Sequence, residues 1–415
     1  MINRLWLVLI MSFLLNGCAS LGKGIVEGIM EKQDEEDTRL CEITGDKFTG
    51  LKSQLEVPGR KMKVLMVHGV GNHLPGYSTE FLEKLAKELD LTVTAKAYKN
   101  IALADPKNLD KPLGNLRVNR YLDNSKTQEL LFYELTWSEI TAKDKEVLAY
   151  DNSGEQSFRR AEVNDLLKKF SNDTGPDPII YLGEKRDDIL TAFAQSLCWM
   201  ASGGWENLPD DVHQTCPLNI PSESYQDSYA FVSHSLGSRI TIDGLQRIAS
   251  ILNGQDAQNS KHYQAVSNFM KNKDVPIYMM SNQLPMLQLG RTIPKTANQR
   301  TAYCQPEGEK YDERLVRRTN IIAFSDPNDL LSYALPHDFV KKYLDSRLCI
   351  NVTNININVA KIYDAFGLGK LANPMDAHVG YDTDDRVVAL IAKGIANDKT
   401  APIVKQRCRW TETIE

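Results

Sequence analysis

An apolar run meets a helix at a short serine-containing turn in Tyr229-Ala230-Phe231-Val232-Ser233-His234-Ser235-Leu236-Gly237. The residues before Ser233 carry no charge and are typical of a strand that is buried on both faces of a sheet. Beyond the turn, apolar residues recur at helical spacing as far as Ile251. A serine at such a turn projects above the sheet edge when the residues two positions away are small, as Ser233 and Gly237 are. The pattern therefore predicts an accessible Ser235 in a strained turn.

Other apolar runs alternate with helical patterns on both sides of this turn. The predicted strands are Val64–Val67, Leu91–Tyr98, Leu130–Trp137, Pro276–Met280 and Asn320–Phe324, and the predicted helices include Tyr77–Leu89, Asp187–Met200 and residues 384–395. Strands that are separated by helices form a mostly parallel sheet with helices on both faces, which is an α/β fold. The stretch of about 138–227 is too long and too charged for a single crossover between two strands. We interpret it as an inserted cap region.

A glycine-containing turn, His68-Gly69-Val70-Gly71, follows the predicted strand Val64–Val67. Its glycines allow the backbone to turn so that an amide faces a cavity. The amide of Val70, together with the amide of Leu236, would then form a two-donor oxyanion hole. We expect His68 and His73 to shape this turn. A phosphate-binding loop is the alternative, but neither of its usual glycine motifs is present.

Two carboxylates follow the strand Asn320–Phe324, in the segment Ser325-Asp326-Pro327-Asn328-Asp329. Either of them could orient a histidine. We favour Asp329, because the Pro that follows Asp326 is typical of a turn. Asp326 stays open as the alternative acid.

One histidine, His378, occurs in an irregular segment before the helix predicted at residues 384–395. Imidazole has a reference pKa near 6.5, so it can accept and return a proton close to neutral pH. His337 is the main competitor for this role. His213 and His262 occur in polar stretches and are expected to be exposed, and His234 is expected to pack near the site.

The order of these four segments resembles the α/β-hydrolase superfamily, in which the serine, the acid and the histidine follow one another along the chain. The resemblance extends over roughly residues 60–400. It implies that Ser235 is the nucleophile, His378 the general acid and base, and Asp329 the orienting carboxylate. It also implies acyl transfer without a metal or an organic cofactor.

The amino terminus predicts export. Arg4 precedes the apolar run Leu5–Leu15, whose eleven residues are fewer than the roughly 20 needed to span a bilayer. This pattern is typical of a signal peptide, here residues 1–17. Its end, Leu15-Asn16-Gly17-Cys18, resembles the lipobox of bacterial lipoproteins, which implies acylation of Cys18 and, with Ala19, a lipid anchor in the outer membrane. A plain signal peptide with a coincidental Cys18 is the alternative.

The six cysteines after Cys18 are even in number, which in an oxidising compartment predicts up to three disulfides. They are Cys41, Cys198, Cys216, Cys304, Cys349 and Cys408. Cys198 and Cys216 would close a short local loop, and the other pairings stay open. No two cysteines have the spacing of a zinc-binding pair, so we expect no metal site.

The composition indicates a folded domain and bears on the partners to be expected. Hydrophobic residues make up 42% of the 415 residues, which is enough for a sizeable core. The net charge is −5 and no long basic run occurs, so nucleic acid is not an expected partner. Residues 18–60 are polar and acidic and are interpreted as a lipidated cysteine and tether. Residues 61–415 form the predicted domain with its cap.

The leading hypothesis is a membrane-anchored serine hydrolase that cleaves carboxylic esters of small molecules or lipids, in the manner of a carboxylesterase or lipase. One alternative is a surface lipoprotein that uses a hydrolase scaffold as a binding module, because a fold does not determine a function. Another is an acyltransferase that moves the acyl group to a lipid or a sugar. The periplasmic face and the cell surface are both open as locations.

Overall fold

The computed structural model describes residues 40–152, 160–254, 259–364, 370–396 and 398–411. The predicted signal peptide, Cys18 and most of the predicted tether lie outside the described residues. No helix within these ranges combines the length and the apolar character that crossing a membrane requires.

In the described part of the chain, eleven strands form one mixed sheet and two more form a small ribbon. The strands are β1 (Cys41–Gly45), β2 (Lys61–Val67), β3 (Thr92–Asp105), β4 (Asn108–Leu122), β5 (Glu129–Thr136), β6 (Val212–Gln214), β7 (Ser228–His234), β8 (Asp274–Met280), β9 (Arg318–Ser325), β10 (Ile350–Asn356), β11 (Ile362–Asp364), β12 (Lys370–Ala372) and β13 (Cys408–Trp410). Their order in the large sheet is β13-β1-β10-β9-β8-β7-β2-β5-β4-β3-β6. The six central strands, from β10 to β5, are parallel.

Helices cover both faces of this sheet. They are α1 (Leu51–Leu55), α2 (Thr79–Glu88), α3 (Glu139–Ala149), α4 (Glu162–Thr174), α5 (Pro176–Leu182), α6 (Arg186–Ala201), α7 (Leu236–Leu252), α8 (Lys261–Lys271), α9 (Leu284–Gln288), α10 (Arg300–Cys304), α11 (Phe339–Tyr343), α12 (Pro374–Val379), α13 (Asp385–Lys393) and α14 (Pro402–Arg407). The predicted α/β class, a mostly parallel sheet flanked by helices, is confirmed.

Two separate apolar cores lie on the two faces of the sheet. Alternate residues of β2 illustrate this, because Leu65 and Val67 face the core formed with α6, α7 and α8, whereas Val64 and Met66 face the core formed with α1, α2 and α13. A strand that is buried on both faces needs apolar residues at every position. This explains the continuous apolar runs Val64–Val67 in β2 and Tyr229–Val232 in β7.

The folded region begins earlier than the sequence analysis predicts. Residues 41–60 fall within the predicted tether, yet β1 pairs with β10 and β13 at one edge of the sheet, and α1 buries Leu51 and Leu55. These partners lie more than 290 positions away in the sequence, so the local composition of residues 41–60 does not reveal them.

The segment predicted as a cap, residues 138–227, contains helices α3 to α6 and strand β6. Helix α6, which matches the predicted helix Asp187–Met200, packs into the core against α7 and contributes Ile189, Leu190 and Phe193 to it. Strand β6 extends the sheet beside β3. Helices α3, α4 and α5 precede this sheet-covering part. Asp177 of α5 accepts a hydrogen bond from the amide of Gly71, Asp173 of α4 accepts one from the amide of Asn72, and Thr141 of α3 donates to Asp177.

Three disulfides join the six cysteines of the described region. They are Cys41–Cys408, Cys198–Cys216 and Cys304–Cys349. The prediction of three bridges and of the local Cys198–Cys216 loop is confirmed. The first bridge connects β1 to β13, so it ties the amino-terminal strand to the carboxyl-terminal one.

Candidate active site

Ser235 occupies the turn between β7 and α7 in a strained backbone conformation. Its φ is 54° and its ψ is −124°, a combination that costs a non-glycine residue about 1 to 3 kcal/mol. The turn is tight enough that a Cβ at Gly237 would lie 2.2 Å from the carbonyl oxygen of Val67. Glycine is therefore required at this position, because strand β2 passes directly against the start of α7.

A hydrogen-bonded chain connects three side chains. The hydroxyl of Ser235 lies 3.2 Å from Nε2 of His378. On the other side of the ring, Nδ1 of His378 lies 3.0 Å from Oδ1 and 3.2 Å from Oδ2 of Asp329. This geometry corresponds to an imidazole that donates from Nδ1 to the carboxylate and accepts from the serine at Nε2.

The sheet topology explains why these residues meet. Ser235 follows β7 and Asp329 follows β9, while His378 is reached after β10. The carboxyl ends of neighbouring parallel strands lie at the same edge of a sheet, which is where sites in α/β proteins form. The sequence predicts His378 on a loop, but the structure places it in a helix. It occupies the last turn of α12, a short helix whose start is capped by the side chain of Asn373.

Of the two carboxylates after β9, only Asp329 reaches His378. Asp326 instead accepts hydrogen bonds from the backbone amides of Asn328 at 2.8 Å, Val359 at 2.7 Å and Ala360 at 3.0 Å. The alternative acid, Asp326, is thus engaged in joining the loop after β9 to the loop after β10. Within the described residues, its oxygens are bonded to that backbone and to Asn328.

The carboxyl group of Asp329 is partly shielded from solvent. Burial by itself opposes ionisation, but hydrogen bonds from His378, Ser281 and the amide of Leu331 outweigh it, so the pKa of Asp329 lies below its ordinary value. The carboxylate is therefore ionised at neutral pH and can stabilise a positively charged His378.

Ser281 is a site residue that the sequence analysis missed. Its hydroxyl donates to Oδ2 of Asp329 over 2.7 Å and lies 3.0 Å from Nδ1 of His378. Ser281 directly follows β8, the strand between β7 and β9, and adopts a φ of 50°. Its position after the predicted strand Pro276–Met280 is the only signal that could have pointed to it.

His234 contacts the backbone of His378 from the other side. Its Nε2 donates a hydrogen bond to the carbonyl oxygen of His378 over 2.7 Å. Burial, together with repulsion from His378, lowers the pKa of His234 to about 4. His234 is therefore neutral at pH 7 and anchors the end of α12, in keeping with the predicted position near the site.

The turn after β2 leaves one amide free beside Ser235. His68 donates from Nδ1 to the carbonyl oxygen of Gly69 over 2.8 Å, and His73 donates from Nε2 to the carbonyl oxygen of Val70 over 3.1 Å. A Cβ at Gly69 would lie 2.7 Å from Cβ of Ser235, so the turn passes directly against the serine. Within the described residues, the amides of Val70 and Leu236 have no hydrogen-bond acceptor. Two donors thus remain available near Ser235.

Carboxylates from the inserted segment hold this turn in place. Asp177 accepts a hydrogen bond from the amide of Gly71 over 2.7 Å, and Asp173 accepts one from the amide of Asn72 over 3.2 Å. Asp177 is buried and forms an ion pair with Lys145 at 3.0 Å. Neither carboxylate is recognisable as a site residue in the sequence, because both lie about 100 positions from the turn along the chain.

The other histidines take no part in this cluster. His337, the main competitor of His378, is exposed on the segment before α11, and His213 and His262 are exposed as predicted. None of these three has a hydrogen bond to Ser235, Asp329 or Asp326 among the described residues.

Three residues that are adjacent in sequence to residues of the site expose apolar side chains. Leu330 next to Asp329 is 73% exposed and Leu74 next to His73 is 80% exposed, while Val379 next to His378 is also exposed. A separate apolar cavity of about 410 Å³ lies between α6, α7 and α8. Its lining includes Leu197, Ile248 and Phe269 and none of the three clustered side chains, so it is distinct from the Ser235 site.

Comparisons with protein-family models, with curated proteins and with solved structures found no match to this chain. The described residues also contain no group of three or more histidine, cysteine, aspartate or glutamate side chains that could hold a metal ion.

Proposed function

We propose that the protein is a serine hydrolase of the α/β-hydrolase class that cleaves carboxylic esters. The hydrogen-bonded chain from Ser235 through His378 to Asp329 carries this proposal. The sheet order supports the fold assignment, because the three residues follow parallel strands in the chain order serine, acid, histidine. The nucleophile turn, with its positive φ at Ser235, supports it further.

In the first half of the reaction, Oγ of Ser235 attacks the ester carbonyl carbon while its proton passes to Nε2 of His378. The carbonyl oxygen becomes an oxyanion, which the amides of Val70 and Leu236 would stabilise. His378 then gives the proton to the departing alkoxide oxygen. The alcohol leaves, and the acyl group remains bonded to Ser235.

In the second half, water replaces the alcohol. His378 removes one proton from the water, the resulting hydroxyl attacks the acyl carbon, and a second oxyanion forms between the same two amides. When this intermediate collapses, His378 returns the proton to Oγ of Ser235 and the carboxylic acid is released. Asp329 holds the ring in the required tautomer and stabilises its charged form throughout.

The exposed apolar side chains beside the cluster favour an ester with an apolar portion. Leu74, Leu330 and Val379 are adjacent in sequence to residues of the site and expose apolar surface to solvent. Exposed apolar surface at a site can bind an apolar ligand or a membrane. Amphiphilic or lipid esters are therefore the proposed substrate class.

The proposed location follows from the amino-terminal pattern. Acylation of Cys18 would anchor the chain to the outer membrane of a bacterium, because several acyl chains give an essentially permanent attachment. Metabolic labelling with a radioactive fatty acid, compared between the full chain and Cys18→Ala, tests this part separately. Equal labelling of the two would contradict the anchor and leave the catalytic proposal intact.

Labelling with a fluorophosphonate probe tests the reaction class. We expect the probe to modify the parent protein on the peptide that contains Ser235. Ser235→Ala should lose the label, whereas Ser250→Ala, which alters an exposed serine at the far end of α7, should keep it. A parent protein that is folded and carries no label would contradict the proposal and favour a binding module.

The identity of the acid is tested by a matched pair of variants. Asp329→Asn should lower kcat for p-nitrophenyl butyrate by about 10⁴-fold, as expected when the imidazole loses its orienting carboxylate. Asp326→Asn should act mainly on stability, because Asp326 contacts backbone amides. Adding a competing alcohol to the same assay separates hydrolysis from acyl transfer, since a transferase would form the new ester in preference to the acid.

A further inference from the structure

An arginine cluster surrounds a single buried carboxylate beside the nucleophile helix. Asp243 of α7 forms ion pairs with three arginines. The guanidinium of Arg239 contacts one carboxylate oxygen, and those of Arg291 and Arg186 lie 2.6 Å and 3.1 Å from the other. The hydroxyl of Tyr181 also donates to Asp243, over 2.7 Å. Both carboxylate oxygens are thus fully engaged.

This cluster carries more positive than negative charge. Three guanidinium groups face one carboxylate, which leaves an excess of two positive charges. Buried charges are normally paired, because removing them from water is costly. Asp187 is exposed and pairs with Arg247 at 2.9 Å, and its charge also acts on Arg186, so it offsets only part of the excess at the exposed end of the cluster.

Donors of these arginines are also left over. Arg239 has a side chain that is only 3% exposed, and its Nε is buried without a hydrogen-bond partner. Within the described residues, Arg291 uses only Nη2 on Asp243, so its Nε and Nη1 have no acceptor. Exposure rises outward from Arg239 through Arg291 at 15% to Arg186 at 36%. The cluster therefore has a solvent-exposed side at Arg186 and a buried donor without a partner at Nε of Arg239.

The cluster lies next to the catalytic elements. Arg239 follows Ser235 by four residues, which on a helix is one turn or about 6 Å along the axis. Tyr181 follows Asp177 by four residues on α5, so one face of α5 contacts both the cluster and the Gly71 amide. The three arginines converge on Asp243, which follows Ser235 by eight residues, or about 12 Å along the axis of the same helix.

We propose that Arg186, Arg239 and Arg291 form an anion-binding subsite for a phosphate or carboxylate group. Guanidinium groups bind these oxyanions through paired, charge-assisted hydrogen bonds. The role as part of a substrate site rests on the proposed ester hydrolysis. The subsite would then select amphiphilic esters that carry an acidic group in addition to their apolar portion.

Calorimetric titration with inorganic phosphate tests the subsite without any need for catalysis. We expect the parent protein and Ser235→Ala to bind phosphate equally, and Arg291→Gln to bind it at least about tenfold more weakly, since a charge-assisted donor is lost. Arg247→Gln is the matched control, because Arg247 lies on the same helix with an ion pair outside the cluster. If Arg291→Gln does not fold, Arg186→Gln replaces it in the titration, because Arg186 lies on the exposed side of the cluster.

Hydrolysis assays distinguish the two sources of the anion. The esters compared are p-nitrophenyl pentanoate and mono-p-nitrophenyl glutarate, which have the same chain length and differ in a terminal carboxylate. If the substrate itself supplies the anion, phosphate should compete with the glutarate only, and Arg291→Gln should lower kcat/KM for the glutarate about tenfold. If a separate anion is bound, phosphate should bind without competing with either ester.

The proposal is overturned if the parent protein binds no phosphate and shows no Arg291-dependent preference for the glutarate. Equal phosphate affinity in the parent, Arg291→Gln and Arg186→Gln would overturn it as well. A protein that binds phosphate through these arginines and hydrolyses neither ester would retain the subsite and contradict the proposed hydrolase function. The two proposals can therefore fail independently.

Discussion

The hydroxyl of Ser281 donates a hydrogen bond to the Asp329 carboxylate over 2.7 Å and lies within 3.0 Å of the ring nitrogen that faces the same carboxylate. This contact makes Ser281 a positioning residue for the acid in the proposed mechanism. It stabilises the ionised form of Asp329 and restricts the orientation of its oxygens. Other parts of the site are also held by contacts with the surrounding structure, as Asp177 holds the Gly71 amide and His234 holds the carbonyl oxygen of His378.

Replacing Ser281 with alanine removes one donor from Asp329. We expect kcat for a p-nitrophenyl ester to fall about tenfold to a hundredfold with little change in KM, because the hydrogen bond acts on a group that does not touch the substrate. Ser281→Gly removes the same hydroxyl and also relieves the positive φ of 50°. Equal activity loss in both variants, with Ser281→Gly the more stable in urea unfolding, is the expected result. Full activity in either variant would contradict the positioning role.

Asp177 should couple the stability of the inserted segment to the position of the turn at residues 68–71. Asp177→Asn leaves Lys145 without its buried partner and should lower the free energy of unfolding by about 3 kcal/mol. Adding Lys145→Met removes the unpaired charge and should recover part of this loss. Because the amide of Gly71 then still lacks its charged acceptor, kcat should stay low in the double variant. Recovery of both stability and kcat would argue against a role for Asp177 in holding the turn.

Gly69 should tolerate no side chain. A Cβ at this position would lie 2.7 Å from Cβ and 3.1 Å from Oγ of Ser235, so Gly69→Ala must displace the nucleophile or the turn. We expect fluorophosphonate labelling to slow by at least about a hundredfold, with an overpacking cost of about 1 to 3 kcal/mol in stability. Gly183→Ala provides the control, because its nearest atom lies 3.4 Å away and its φ of −95° suits alanine.

His234 should make the fold sensitive to mild acid. Its pKa is lowered to about 4 in the folded protein, whereas the unfolded chain protonates it near 6.5. Between these two values the unfolded state binds the additional proton, so stability is full above pH 6.5 and declines as the pH falls towards 4. Between pH 7 and pH 5 the free energy of unfolding of the parent should fall. We expect the fall in His234→Gln to be smaller by about 1 to 2 kcal/mol. Urea unfolding at both pH values measures this difference, and identical pH dependence of the two proteins would refute it.

Local patterns were sufficient for the elements that are buried on both faces. The runs Val64–Val67 in β2 and Tyr229–Val232 in β7 are recognisable because their residues are all apolar, and the strand-to-helix turn at Ser235 is recognisable because Gly237 is required there. In contrast, β10 was missed because asparagines interrupt its sequence from Ile350 to Asn356. β1 was missed because its partners, β10 and β13, lie near the other end of the chain.

The sequence was enough to predict the α/β class and to single out Ser235 and His378 as candidate site residues, since each depends on a pattern of neighbouring residues. The choice between Asp329 and Asp326 required the three-dimensional structure, because both follow the same strand and only the path of the loop decides which reaches His378. Ser281, Asp177 and the arginines around Asp243 also became visible only there. Their contacts join residues that are distant along the chain, and such contacts are created by the packing of the sheet and helices.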